Sequence, residues 1–280
     1  MEARASLYSL VLLLTPVRPV SVGATVGHQV HAAFLHTVRA VAPDLAEALH
    51  AQGRARPFTV SPLQGVPRAR DGRVLLSPEH TYWLRLSLLD AALYAHLVDF
   101  FVYLTHHPLL RLGNGELFVR EIVTTPEAHP WAGAVTWAAL CETERRSRLG
   151  LHFVTPTAFS LGTRSWGKQT LPLPLPELVF SSLARTWNLW APPELHVDRI
   201  AVERFAREGV VVAGMRDVQT RMLQFKRSPQ VGFVGRVFYD IKDPDEEMGR
   251  LFNVLAEFAF YAGVGMKRTM GMGMVRRLVK

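Results

Sequence analysis

The chain holds a single cysteine, Cys141, in 280 residues. One thiol excludes an intramolecular disulfide and a thiolate metal cage, and it suits a reducing compartment. Long apolar runs are missing too. The segment Leu7 to Pro16 is far shorter than the roughly 20 residues a membrane-spanning helix needs. Arg4 before it and Gly23-Ala24 after it give it some likeness to an export signal, but a buried first strand has the same composition. Acidic residues are in deficit, with 24 Asp+Glu against 32 Lys+Arg, a net charge of +8 and a sequence pI near 10.0. That balance favours a polyanionic partner, such as nucleic acid or an acidic membrane surface. A soluble cytoplasmic protein with no membrane partner is expected.

What is present is globular: 49% hydrophobic and 20% charged residues. Ser6 to Thr15 reads as a strand. Val26 to Val41 reads as a helix, with Val30, Phe34, Val38 and Val41 on one face. Pro43 is placed to open a shorter helix, Asp44 to His50, closed by Gly53. Strands over Arg56 to Pro62 and His80 to Leu89, a helix over Ala91 to His106 and a strand over Leu117 to Thr124 follow. The order is βαββαβ. It recurs with a strand at Leu149 to Phe159, a polar loop holding Arg164, Trp166 and Lys168, and a helix from Pro176 to about Trp190. Strands at Val210 to Gln224 and Val231 to Ile241, a helix from Asp245 to Tyr261 and a closing strand at Met272 to Val279 complete it. The expected fold is α+β, two tandem ferredoxin-like (RRM-like) βαββαβ domains, 1–130 and 131–280.

Four glycines, Gly263, Gly265, Gly271 and Gly273, frame the adjacent cations Lys267 and Arg268. Glycine permits close approach of a ligand to the main chain, and the expected guest is a phosphate. The glycines lead from helix into strand, the reverse of the dinucleotide fingerprint and the P-loop, so neither is supported.

Eleven histidines are present. His28 and His31 share a helix face, but no cysteine or acidic neighbour completes a metal site. No carboxylate cluster suggests Mg²⁺, and no cofactor or metal is expected. His50 stands out: a helix C-terminus favours its imidazolium, and the flexible basic segment with Arg54 and Arg56 follows. His36 lies about 200° around the helix from Phe34, off the apolar face.

The glycine-rich spacing resembles that of the CRISPR repeat-processing endoribonucleases of the RAMP superfamily. Phe153-Val154-Thr155-Pro156-Thr157-Ala158-Phe159 resembles the family's strand before a basic insertion. Gly232-Phe233-Val234-Gly235-Arg236-Val237 resembles its penultimate strand, and Phe258-Ala259-Phe260-Tyr261-Ala262-Gly263 its last helix turn. The resemblance implies His50 as the catalytic histidine, after the first helix, and His36 as a second residue from that helix. It implies metal-free cleavage in which the ribose 2′-hydroxyl attacks the adjacent phosphate, leaving 2′,3′-cyclic phosphate and 5′-hydroxyl ends. Whether His50 takes the first proton or protonates the leaving oxygen stays open. Arg54, Arg56, Arg164, Lys168, Lys267 and Arg268, with the four glycines, are the expected RNA-binding residues. A second phosphate track near Arg145, Arg146 and Arg148 is the alternative. The implied partner is CRISPR repeat RNA, with a CRISPR interference complex and a second copy of the chain in a homodimer as further candidates. Two other functions stay open: a non-catalytic RNA-binding subunit of such a complex, and a basic protein that binds nucleotides or an acidic protein.

Overall fold

Leu10, Leu12 and Leu14 alternate along the first strand and aim at one core, which is why Leu7–Pro16 (β1) sits in the middle of a sheet. The structure is a computed structural model that describes residues 6–23, 26–50, 55–67, 69, 71–225 and 229–278. The side chains of Ala48, His50, Ala91, Ala92, Ala95 and Leu97 fall outside that description. Two compact units divide the chain, Met1–Val135 with Thr269–Gly271 and Thr136–Arg268 with Met272–Lys280.

In the first unit β1 is followed by Val20–Gly23 (β2), helices Gly27–Val41 (α1) and Pro43–His50 (α2), and strands Phe58–Val60 (β3), Arg73–Leu76 (β4) and Tyr82–Leu88 (β5). Helix Ala91–His106 (α3) and strands Leu109–Leu112 (β6), Gly115–Val123 (β7) and Gly133–Val135 (β8) complete it. The sheet runs β3-β5-β1-β7-β6, every pair antiparallel, and Leu12 lies opposite Leu84 on one side and Ile122 on the other. Val30, Phe34 and Val38 of α1 and Phe100 and Leu104 of α3 cover the face that carries the alternating leucines. β8 pairs with Leu7 to Ser9 of β1, which ties Trp131 and its neighbours to this unit through the bond from Ser9 Oγ to Trp131 O.

The second unit opens with helix Trp137–Cys141 (α4), strand Arg148–Thr157 (β9), strands Phe159–Arg164 (β10) and Gly167–Leu171 (β11), and helices Pro176–Trp190 (α5) and Arg199–Glu208 (α6). Strands Val210–Gln224 (β12) and Pro229–Ile241 (β13), helix Glu246–Ala262 (α7) and strand Val275–Arg277 (β14) follow. Its antiparallel sheet runs β12-β13-β9-β14. Phe180 of α5, Phe205 of α6 and Phe252 of α7 pack with tilted rings in one aromatic cluster, which Tyr239 of β13 joins edge-on at Phe180. β12 forms an edge, and its pairing with β13 is interrupted twice, between Val212 and Gly214 and between Arg216 and Gln219.

Several details depart from the sequence expectations. The strand expected over Leu149 to Phe159 breaks at Ala158, whose carbonyl accepts from Met266 N instead of continuing a ladder. The expected polar loop is the β10–β11 hairpin, paired from Phe159↔Leu171 to Arg164↔Gly167. The pair β2–β4 has no sequence counterpart, because Val66 to Gly72 reads as turn and basic residues. Nor has β6, whose partner β7 lies across the tight Gly113-Asn114 turn. Helix α6 carries a weak signal as well: only Val202, Phe205 and Ala206 are buried in it, although Asp198 caps it by accepting from Ile200 N and Ala201 N. Among the described residues no helix is long and apolar enough to cross a membrane.

Candidate nucleic-acid interface

The glycine-rich loop begins where α7 must end. Asp245 caps that helix by accepting from Met248 N at 3.0 Å, and Gly249, Phe252, Leu255, Phe258 and Ala259 bury its inner face. Gly263 ends it at φ 64°, its amide still bonded to Ala259 O. The four loop glycines all have φ between 64° and 92°. At Gly265 a Cβ would stand 2.5 Å from Ala158 O, and at Gly273 2.1 Å from Val264 O, so these two are glycine by chain packing as well as by angle.

The loop amides are largely committed inside the protein. Val264 N donates to Gly273 O, Met266 N to Ala158 O, Met272 N to Lys267 O and Gly273 N to Pro156 O. Gly265 N donates to Ser182 Oγ and Met274 N to Thr155 Oγ1, both at 2.9 Å. Between them lies a short 3₁₀ turn, Arg268–Met270.

The two adjacent cations are held differently. Lys267 adopts φ 55°, unusual for a residue with a side chain. Its ammonium sits 4.3 Å from the centre of the buried Phe225 ring. Partial burial, and then the nearby Lys168, pull its pKa below the usual lysine value. Arg268 instead donates from Nη1 to Ala262 O at 2.7 Å, closing the C-terminus of α7. Burial, with Arg185 of α5 adding repulsion, pushes its pKa down to about 10. Nothing in the sequence ties Phe225 or Arg185 to the loop, since each meets it only through the fold.

On the β10–β11 hairpin Arg164 Nε donates to Gln169 Oε1 at 2.9 Å, and both Arg164 and Lys168 are exposed. Trp166 occupies the turn between the strands and is 71% exposed. Of the alternative track, Arg145 pairs with Glu246 at 3.2 Å, and Arg148 forms a two-pronged pair with Asp240 at 2.6 and 3.0 Å. These two arginines therefore already have carboxylate partners.

In the first unit, His36 projects from α1 as an exposed side chain, while His31 is buried with its ring 5.7 Å from that of Phe58. His50 is the last residue of α2, but its side chain, like the whole of Arg54, lies outside the described residues. Arg56 Nε donates to Leu49 O at 2.8 Å, so this cation binds the end of the helix that carries His50. Gly263, Gly265 and Gly273 share the second unit with Arg164, Lys168, Lys267 and Arg268, whereas Gly271 counts with the first. Among the described residues no three His, Cys, Asp or Glu side chains converge as metal ligands.

Residues 7–142 match the CRISPR Cas6 N-terminal domain, and residues 151–275 match the CRISPR-associated endoribonuclease Cas6. No curated protein sequence matches the chain significantly. Among solved structures, a Cas6 product complex is 28% identical with a TM-score of 0.82, covering 98% of this chain and 100% of the other. Thermus thermophilus Cas6 is 28% identical at a TM-score of 0.75 over 99% and 100% of the two chains. A Cas6 with a histidine-to-alanine mutation is 28% identical at 0.69, again over 99% and 100%. With both halves matched in order and the relatives covered end to end, this chain belongs to the family of CRISPR-associated endoribonucleases known as Cas6.

Proposed function

We propose that the protein is a metal-independent endoribonuclease that cuts CRISPR precursor RNA within its repeats and releases guide RNAs with 2′,3′-cyclic phosphate and 5′-hydroxyl ends. In this reading both units are ferredoxin-like. The strands of each βαββαβ core lie in the order fourth, first, third, second: β7-β1-β5-β3 and β14-β9-β13-β12. The observation that carries the functional reading is the placing of His36 and His50 in a chain of this family. His36 is exposed on α1, and His50 ends α2, a helix terminus bound by Arg56.

The ribose 2′-oxygen attacks the adjacent phosphorus, forming the 2′-O–P bond and giving its proton to one imidazole. The P–O5′ bond breaks, and the 5′-oxygen takes a proton from a protonated imidazole. Charge growing on the phosphoryl oxygens is met by cations, for which Arg54 and Arg56 are nearest in sequence to His50. Lys267 holds the RNA backbone. The committed amides on either side leave the half-buried Lys267 to Met270 as the part of the loop a phosphate would meet, Gly271 being buried against Gly27 and Pro62. The repeat RNA of the chain's own genome is the substrate to use. Cleavage is expected to persist in excess EDTA and to stop when the nucleotide at the cut carries a 2′-deoxy sugar. Loss of cleavage in EDTA with recovery in Mg²⁺, or a cut at the 2′-deoxy site, would refute the mechanism. RNA bound tightly and never cut would leave only the non-catalytic binding role.

A further inference from the structure

The β10–β11 hairpin pairs with no other strand among the described residues, and from Ser160 to Trp166 every side chain on it is exposed. Its tip is a two-residue turn, Ser165-Trp166, set between Arg164 and Gly167. Glycine at 162 and 167 leaves open space around that tip: a Cβ on either would meet nothing within 4 Å. A hydrophobic indole is thus held out in water at 71% exposure, on a stalk whose cationic side chains are the exposed Arg164 and Lys168. Trp166 contributes nothing to the core of its unit, so burial does not account for a tryptophan here. Lys168 lies close enough to Lys267 to depress its pKa, which puts the hairpin and the loop cation in one positive field.

An exposed indole flanked by cations matches the two chemistries of RNA, a flat aromatic base beside a phosphate. From this we infer that Trp166 is a base-stacking residue. It lays its ring on a nucleobase of the repeat RNA while Arg164 and Lys168 take the phosphates on either side. The base face comes from one of two sources, an unpaired nucleotide beside the repeat stem or the terminal pair of the stem itself. The inference rests on the RNA-binding part of the proposed function and not on cleavage.

The test is equilibrium binding of repeat RNA to the full chain and its Trp166→Ala and Trp166→Phe variants, with melting temperatures measured alongside. Single abasic substitutions are stepped through the repeat. Trp166→Ala should weaken binding about tenfold to a hundredfold with unchanged melting, and Trp166→Phe should recover most of the loss. The salt slope should stay at the wild-type value, since stacking releases no counterion, whereas Lys168→Ala should lower it by about 0.7. One abasic position should weaken wild-type binding by a similar factor and cost Trp166→Ala nothing more. If that position is unpaired, the flanking nucleotide is the source; if it belongs to the closing pair, the stem end is. Equal abasic profiles in wild type and Trp166→Ala would overturn the assignment, as would wild-type affinity in Trp166→Ala. Wild-type protein that binds RNA with this pattern yet never cleaves would sink the endonuclease reading and leave the stacking intact.

Discussion

Replacing Lys267 and Arg268 one at a time separates two cations that adjoin in sequence and differ in what they hold. Arg268 gives a charge-assisted hydrogen bond of 2.7 Å to Ala262 O at the end of α7. Such bonds contribute about 1.5–3 kcal/mol. The burial that pushes its pKa to about 10 works against the ionised form, so the lower part of that range, about 1.5–2 kcal/mol, is the reasonable value for Arg268→Ala. At about 2–4 °C per kcal/mol for a unit of this size, melting should fall by about 3–8 °C. Lys267 has a cation–π contact with Phe225, about 0.5–1 kcal/mol, set against a left-handed backbone that costs about 1–2 kcal/mol. Lys267→Gly removes both and should leave melting at or slightly above wild type. The assay is binding of repeat RNA from low to moderate salt beside thermal melting. Lys267→Gly should reduce the log–log salt slope by about 0.7, one phosphate contact, and Arg268→Ala should leave it unchanged once folded protein is used. Normal melting with a reduced slope in Arg268→Ala, together with an unchanged slope in Lys267→Gly, would refute the division of roles.

Two further outcomes are expected. Under single-turnover conditions His50→Ala should slow cleavage by about 10²–10⁴-fold and His36→Ala by about tenfold, with RNA affinity near wild type and His196→Ala as an inert control; wild-type rates in both variants would remove these histidines from the mechanism. His152 on β9 has its pKa lowered by burial and then by Arg236 and Arg276, with Asp217 opposing. The unfolded chain therefore binds this proton more readily than the folded one, and stability should drop as pH falls from about 6.5 through the lower folded value. Urea titrations from pH 8 to pH 5 should show that slope flattened in His152→Gln, and an identical slope in both proteins would refute it.

The long elements were legible because their periodicity is strong. Val30, Phe34 and Val38 mark α1, and Leu10, Leu12 and Leu14 alternate in β1. Pro176 and Asp245 announce the starts of α5 and α7. What escaped was decided by pairing at a distance. The β10–β11 hairpin carries so little apolar sequence beyond Phe159 and Leu171 that it reads as a loop, and β2 finds β4 across two helices. The glycine-rich loop was legible as a turn between helix and strand, while the commitment of its amides to Pro156, Ala158, Ser182 and Thr155 was not, because those partners come from β9, its end and α5. For the same reason the sequence treats Lys267 and Arg268 alike, and only the fold tells an aromatic seat from a helix terminus.

The two interruptions in the β12–β13 ladder have a consequence for how the molecule behaves in a crowded solution. β12 is a 15-residue edge that exposes Val211, Val212, Met215 and Met222, a sequence that as a straight ribbon would invite another chain to add itself as the next strand. Asp217 turns through φ 55° opposite Gly235 at φ 128°, and a Cβ on that glycine would stand 2.7 Å from Asp217 O. The kink divides the edge into two short lengths with Arg216 and Asp217 at the break, so an incoming strand finds no continuous row of amides and carbonyls to follow. The irregularity thereby guards an exposed, apolar-rich border of the second unit.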